Sequence, residues 1–157
     1  MMDASRQATS EATIVAEVVA GVADLTDGEW GNRAWLHLFL DIEVGDGGRT
    51  SSICFSLAHR PGGPVERLAF RLPATAKRMF ATLSDDMAGT GSRWTSARLT
   101  VERDGRYAID YRYDPPFRLG GQLIDRRFEG YLDRWLESEA GAPFREPARP
   151  WWRRWTG

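Results

Sequence analysis

The sequence predicts an α+β domain: an antiparallel sheet of about five strands, a meander plus a hairpin, with helices packed on one face in the order α-β-β-β-α-β-β-α. Three observations predict it. Between Leu36 and Leu72 three runs alternate in hydropathy with period two and are separated by glycine-rich turns. Trp94 to Asp114 reads as two further strands turning at Asp104-Gly105. The segments around these runs space their apolar residues at helical intervals.

Taken in order, residues 1–9 form a polar arm expected to be poorly ordered. Ser10 is placed to cap a helix whose Ile14, Val15, Val18, Val19 and Val22 share one side, and Asp27-Gly28 and Gly31-Asn32 mark its end. Leu36, Leu38, Leu40, Ile42 and Val44 then alternate against His37, Phe39, Asp41 and Glu43, the pattern of a half-buried strand. After the turn Gly45–Gly48 comes Ser51–Ala58, with Ile53, Phe55 and Leu57 on one face. The turn Arg60–Pro64 leads to Glu66–Leu72, with Leu68, Phe70 and Leu72 inward. Pro73 suits the first turn of a helix reaching Met87, with Ala76, Met79, Phe80 and Leu83 on one side. Pro115-Pro116 stops the hairpin. Gly120-Gly121 precede a last helix expected over Gln122–Glu139, striped by Leu123, Phe128, Tyr131, Leu132, Trp135 and Leu136. The predicted organisation is thus an arm (1–9), one domain (10–139) and a Pro-, Arg- and Trp-rich tail (140–157).

Side chains choose the hairpin register. A two-residue loop would set Leu99 against Asp110 and mix apolar with charged residues on both faces. A three-residue loop with Gly105 at the positive-φ position pairs Val101 with Tyr107, Leu99 with Ile109 and Ala97 with Tyr111. It also sets Glu102 opposite Arg106 and Arg98 opposite Asp110, opposite-charge pairs each contributing ~0.2–1 kcal/mol. One face, with Tyr107, Tyr111 and Tyr113, turns to a core; the charged face turns to water or to a partner.

Charge and chemistry-bearing residues narrow the function. The net charge of −1 conceals a tail in which Arg145, Arg149, Arg153 and Arg154 stand against Glu146 alone; the rest of the chain shows no broad basic face for nucleic acid. One cysteine, Cys54, rules out an internal disulfide framework and sits mid-strand as a small buried hydrophobe. His37 and His59 have no companion at metal-ligand spacing, and His37 is expected to face solvent or to be hydrogen-bonded. Gly45-Asp46-Gly47-Gly48 lies between strands and does not open a helix, so it is a turn rather than a phosphate loop. Asp110 matched to Arg98 suits an ion pair better than a perturbed acid. No signal peptide or membrane span is visible, and a cytoplasmic protein is expected. Seven tryptophans, seven phenylalanines and four tyrosines suit either a heavy aromatic core or a contact surface.

Trp94-Thr95-Ser96, the alternating strand to Glu102, the glycine in the turn, and Ile109-Asp110-Tyr111-Arg112-Tyr113-Asp114 together resemble the signature of the YezG-like immunity protein family. The preceding chain is similar in outline: a leading helix, Glu29-Trp30, a strand with a Gly-rich turn, and a strand carrying Phe55. The resemblance spans residues 10–114. It implies an antitoxin that binds and occludes a cognate secreted polymorphic toxin domain, often a nuclease, encoded next to it. No enzymatic residues come with it, and no cofactor, metal, direct nucleic-acid contact or membrane is expected. The expected contact residues are Trp94, Arg98, Asp110, Arg112, Asp114 and Asp41, carboxylates standing in for phosphates and aromatics serving as anchors. Trp94, Asp110, Tyr111, Tyr113 and Asp114 could equally serve the hairpin's own packing. The alternative is an interaction or adaptor module using Trp151-Trp152-Arg153-Arg154-Trp155. The sequence leaves the oligomeric state open.

Overall fold

The computed structural model describes residues 2–24, 32–89 and 91–145. Within them the elements run α1 (Ala4–Asp24), β1 (Ala34–Val44), β2 (Thr50–His59), β3 (Glu66–Ala69), α2 (Ala74–Ala88), β4 (Ser96–Glu102), β5 (Tyr107–Arg112) and α3 (Tyr131–Glu137). The strands make one open antiparallel sheet in the order β3-β2-β1-β4-β5, an α+β fold as the period-two and helical patterns predict. The signals at Asp27-Gly28, Glu29-Trp30, Gly31 and Trp151–Trp155 lie outside the described residues.

β1 pairs with β2 on one side and β4 on the other, and this central place changes its character. Leu38, Leu40, Ile42 and Val44 join Ile14, Val18, Phe80, Leu83, Leu99 and Val101 in the main core under α1 and α2. The alternate residues His37, Phe39, Asp41 and Glu43 are also buried, so the strand is covered on both faces rather than half-buried. The expectation of helices on one face therefore holds for α1 and α2 alone. The chain after Pro116, with α3, crosses to the opposite face, where Phe128 and Trp135 cluster with Phe39, Phe55 and Leu57.

The hairpin takes the three-residue loop. Val101 pairs Tyr107, Leu99 pairs Ile109, Ala97 pairs Tyr111 and Arg98 pairs Asp110, with Gly105 at φ +92°. Any L side chain at that angle is strained, which is why the loop needs glycine. Trp94 and Tyr111 pack ring to ring at 5.4 Å, so two residues of the signature serve the hairpin's own packing.

Three boundaries move for local reasons. α1 begins at Ala4 rather than Ser10, because Asp3 caps it by accepting the Arg6 N–H at 2.8 Å. β3 ends at Ala69, although Phe70 N–H still reaches the Cys54 carbonyl (3.1 Å), and Phe70 and Leu72 stay in the core. The last helix is confined to Tyr131–Glu137. Asp125 accepts the Arg127 N–H at 3.1 Å in a side-chain turn, and Gly130 at φ +73° breaks the helical path. The fold also reaches past residue 139, since Phe144 stacks on Trp135 at 5.8 Å.

Gly21 of α1 lies against Pro73, where an added Cβ would meet the ring Cγ at 2.7 Å. Gly→Ala inside a helix ordinarily stabilises by about 0.5–1 kcal/mol. At this contact the overlap wins: Gly21→Ala should destabilise by about 1–3 kcal/mol in urea melts, and a gain would refute the close packing of α1 on the start of α2.

Candidate partner-binding surface

Two acidic residues in the middle of a sheet need compensation, and the second face is built around supplying it. The Asp41 side chain, 1% exposed, accepts Arg98 Nε at 2.8 Å and Arg118 Nη2 at 2.9 Å. The Arg118 guanidinium further donates to the Asp41 carbonyl (3.1 Å), the Ser51 carbonyl (3.0 Å), Ser51 Oγ (2.9 Å) and Asp125 Oδ2 (2.7 Å). Glu43 accepts three consecutive backbone N–H groups, those of Phe117 (3.1 Å), Arg118 (3.1 Å) and Leu119 (2.9 Å). Asp125 in turn holds Arg127 at 2.6 Å. Hydrogen bonds from Arg127 draw the Asp125 carboxyl well below the usual carboxylate range, helped by Arg118 and against the cost of burial. Three carboxylates thus face three guanidiniums, and the arginines also lie on aromatic rings: Arg98 over Phe128 (4.9 Å) and Arg127 over Phe117 (4.3 Å). The oxygens that could hold a cation are taken by arginines and backbone amides; among the described residues there is no metal-ligating group of three or more acidic, His or Cys residues.

The network braces a loop at both ends. Arg118 and Asp125, joined at 2.7 Å, close the segment 118–125, and Gln122 N–H to the Phe117 carbonyl and Gly121 N–H to the Arg118 carbonyl, both 3.1 Å, tighten its first turn. Gly120 is required there, since a Cβ would fall 2.3 Å from the Pro116 carbonyl oxygen. At the tip stand Leu123 and Ile124, 92% and 69% exposed, the two most exposed large aliphatic side chains described. Helical spacing assigned Leu123 to an apolar stripe; it points to solvent instead. The informative signal is the clustering of Arg118, Asp125, Arg126 and Arg127 around two adjacent apolar residues.

The contact residues expected from the sequence separate into three groups. Asp41 and Trp94 are interior, Asp41 within the ion network and Trp94 in the main core, so neither can touch a partner in this structure. Burial beside Arg98 and Arg118 removes the one, packing under α2 removes the other. Arg98 is largely covered, and although it sits opposite Asp110 in register, its guanidinium goes to Asp41. Asp110 is exposed and Arg112 half-buried, and they pair along their own strand at 3.2 Å. Asp114 is exposed just beyond β5. Beside them Thr100, Glu102, Arg106 and Ala108 line an open groove of about 550 Å³ closed on its far side by Ser138–Ala140.

Two further groups have chemistry-bearing types. Cys54 faces the main core, and burial pushes its thiol up to about 12. His37 faces the opposite side of the sheet, so these two cannot meet. His37 is buried and hydrogen-bonded, its Nδ1 2.8 Å from Glu102 and its Nε2 2.7 Å from the Tyr131 hydroxyl. Burial lowers its pKa below 6.5 against the upward pull of Glu102, and burial likewise raises the Tyr131 phenol to about 12. A neutral imidazole donating to Glu102 and accepting the Tyr131 O–H satisfies all three groups and ties α3 to the sheet. A phenol held so firmly protonated is a hydrogen-bond donor here, not a nucleophile. Among the described residues, no helix is long and apolar enough to cross a membrane. No family model and no curated protein matches the chain.

Removing one partner from a buried ion pair leaves the others uncompensated, so Arg118→Met should destabilise by about 3–5 kcal/mol and speed hydrogen exchange across residues 117–130 before that of β1 and β4. For His37 the folded pKa lies below the unfolded value, so the unfolded chain takes up the proton first. Stability is full above pH 6.5 and falls as pH drops below it. Urea midpoints from pH 7.5 to about 5 should fall for the native chain and fall less for His37→Gln.

Proposed function

We propose that this chain is an immunity-type binding protein that occludes a cognate secreted toxin domain, with the braced loop Leu119–Ile124 as its apolar anchor. The observation that carries the reading is the pair Leu123-Ile124, held out in water on a segment tied down at both ends. Exposed aliphatic side chains on a mobile loop lose much of their binding energy to ordering, whereas anchors held in place before contact keep it. The resemblance of the hairpin to YezG-like immunity proteins gives the partner class. Asp114 adds an exposed carboxylate at the same end of the sheet, since β5 ends beside Ser96 and Ser96 pairs with Glu43. Before a basic nuclease site that carboxylate stands in for a phosphate, and the mechanism is occlusion without bond making.

The test is co-expression with the C-terminal toxin domain encoded by the adjacent gene, and titration of the purified pair. The native chain should restore growth and bind. Leu123→Ala/Ile124→Ala should weaken Kd by about 30-fold or more, the worth of two buried aliphatic side chains, while leaving the urea midpoint nearly unchanged because both are exposed. Unrelieved toxicity with the native chain sinks the toxin reading; relief with an unchanged Kd for the double variant sinks the loop.

A further inference from the structure

Among the described residues, β5 ends the sheet with six residues and only β4 beside it. The opposite edge, β3, is blunted by being four residues long with Pro64 just before it. β5 has no proline, and among the described residues nothing hydrogen-bonds to its outer backbone groups. Which groups those are follows from its pairing. Glu102 N–H donates to the Arg106 carbonyl and Thr95 N–H to the Arg112 carbonyl, both at 2.8 Å. The even-numbered residues therefore turn their backbone toward β4, and Tyr107, Ile109 and Tyr111 turn theirs outward.

From this edge we infer that β5 pairs with β5 of a second copy of the chain, antiparallel about a two-fold axis at Tyr111, to make one continuous sheet. Antiparallel ladders match outward residues with outward residues, so the axis can pass through residue 109, 110 or 111 but not between two residues. Charge decides among the three. An axis at Ile109 sets Arg106 against Arg112 of the second copy, and one at Asp110 sets that carboxylate against itself; like charges directly opposite are unfavourable. An axis at Tyr111 sets Asp110 against Arg112 twice over, Ile109 against Tyr113 twice, and Tyr111 against itself. Opposite-charge, aromatic and aromatic–aliphatic pairs are the favourable cross-strand kinds. The charged side chains are placed for this: Asp110 and Arg112 lie on one face, 63% and 41% exposed, and Tyr113 is 61% exposed. The self-complementarity is written in Asp110-Tyr111-Arg112, which is opposite in charge on either side of its centre. Pairing of one short strand covers less than the roughly 1,200–2,000 Å² of a tight complex, so the expected dimer is a weak one. It does not rest on the toxin reading, although pairing Ile109 with Tyr113 brings the neighbouring Asp114 to the seam.

Sedimentation of the full chain over a concentration series up to about 1 mM tests it, a range set by the interface size. The native chain should pass from monomer to dimer. Asp110→Arg leaves two arginines on each strand and Arg112→Asp two aspartates, so each alone should weaken self-association by about tenfold or more. The two variants mixed should form a one-to-one heterodimer, and the double exchange Asp110→Arg/Arg112→Asp should restore the homodimer. Circular dichroism of each variant checks that both fold, as exposed substitutions should. A native chain that stays monomeric throughout overturns the proposal. So does a dimer that neither single exchange weakens, or single variants that do not recover on mixing.

Discussion

Two carboxylates sit where the sheet is most deeply covered, and much of the second half of the chain exists to answer them. Taking a carboxylate out of water costs several kcal/mol, and an unpaired one on a central strand would be incompatible with a folded domain. Asp41 and Glu43 are answered from three directions: Arg98 from the next strand, the guanidinium of Arg118 from above, and the backbone amides of Phe117–Leu119. Apolar residues in their place could hold a covering segment as strongly, but they would not dictate which residues of it land where. Arg118 has that effect. Its three nitrogens reach β1, β2 and Asp125 together, which leaves one place for the chain after Pro116 and fixes the loop that follows.

The two faces of the sheet consequently differ in kind. Under α1 and α2 the packing is aliphatic, with Ile14, Val18, Leu40, Leu83 and Leu99 close to fully buried, and it supplies the area that drives folding. The face under α3 is aromatic and ionic: Phe39 meets Phe55 at 4.9 Å and Tyr131 at 4.8 Å, Arg67 lies 3.8 Å over Phe55, and His37 links the sheet to Tyr131. A face held by directional contacts tolerates little slippage. That suits it to position an exposed loop, and it places the buried His37 on this side of the sheet.

What the sequence disclosed and what it hid follow the range of the interactions. The hairpin register was legible because period-two alternation, one glycine and two charge pairs all lie within Trp94–Asp114, and each points the same way. The main core was legible in the valines of α1 and the leucines of β1 for the same reason. The burial of Asp41 and Glu43 was not, since their partner Arg118 is 77 and 75 residues away. An acidic residue on a strand's polar side reads as solvent-facing until that partner is known. The last helix was over-extended because Leu123, Phe128 and Tyr131 satisfy helical spacing, while the features that override it, the Asp125 turn and left-handed Gly130, are local and small. Asp110 shows both outcomes in one residue: its neighbour across the ladder was foreseen, its ion-pair partner was not.

The proposed anchor and the proposed dimer edge occupy different parts of the sheet, and this has a consequence for stoichiometry. Leu119 packs beside Gly45 and Arg118 beside Ser51, which places the loop over β1 and β2, with β4 between it and the β5 edge. Adjacent strands are about 4.8 Å apart, so the loop stands only two strand spacings, about 10 Å, from the β5 edge, and a partner domain at its tip lies beside a copy paired along β5. A two-fold axis perpendicular to the sheet at Tyr111 keeps both loops on one face and sets them on opposite sides of the axis, because paired antiparallel strands finish in opposite directions. Each copy then offers its own Leu123-Ile124 to a separate partner. Self-association by this edge leaves Leu123 and Ile124 uncovered but brings Asp114 to the seam, so pairing along β5 and use of Asp114 as a partner contact compete.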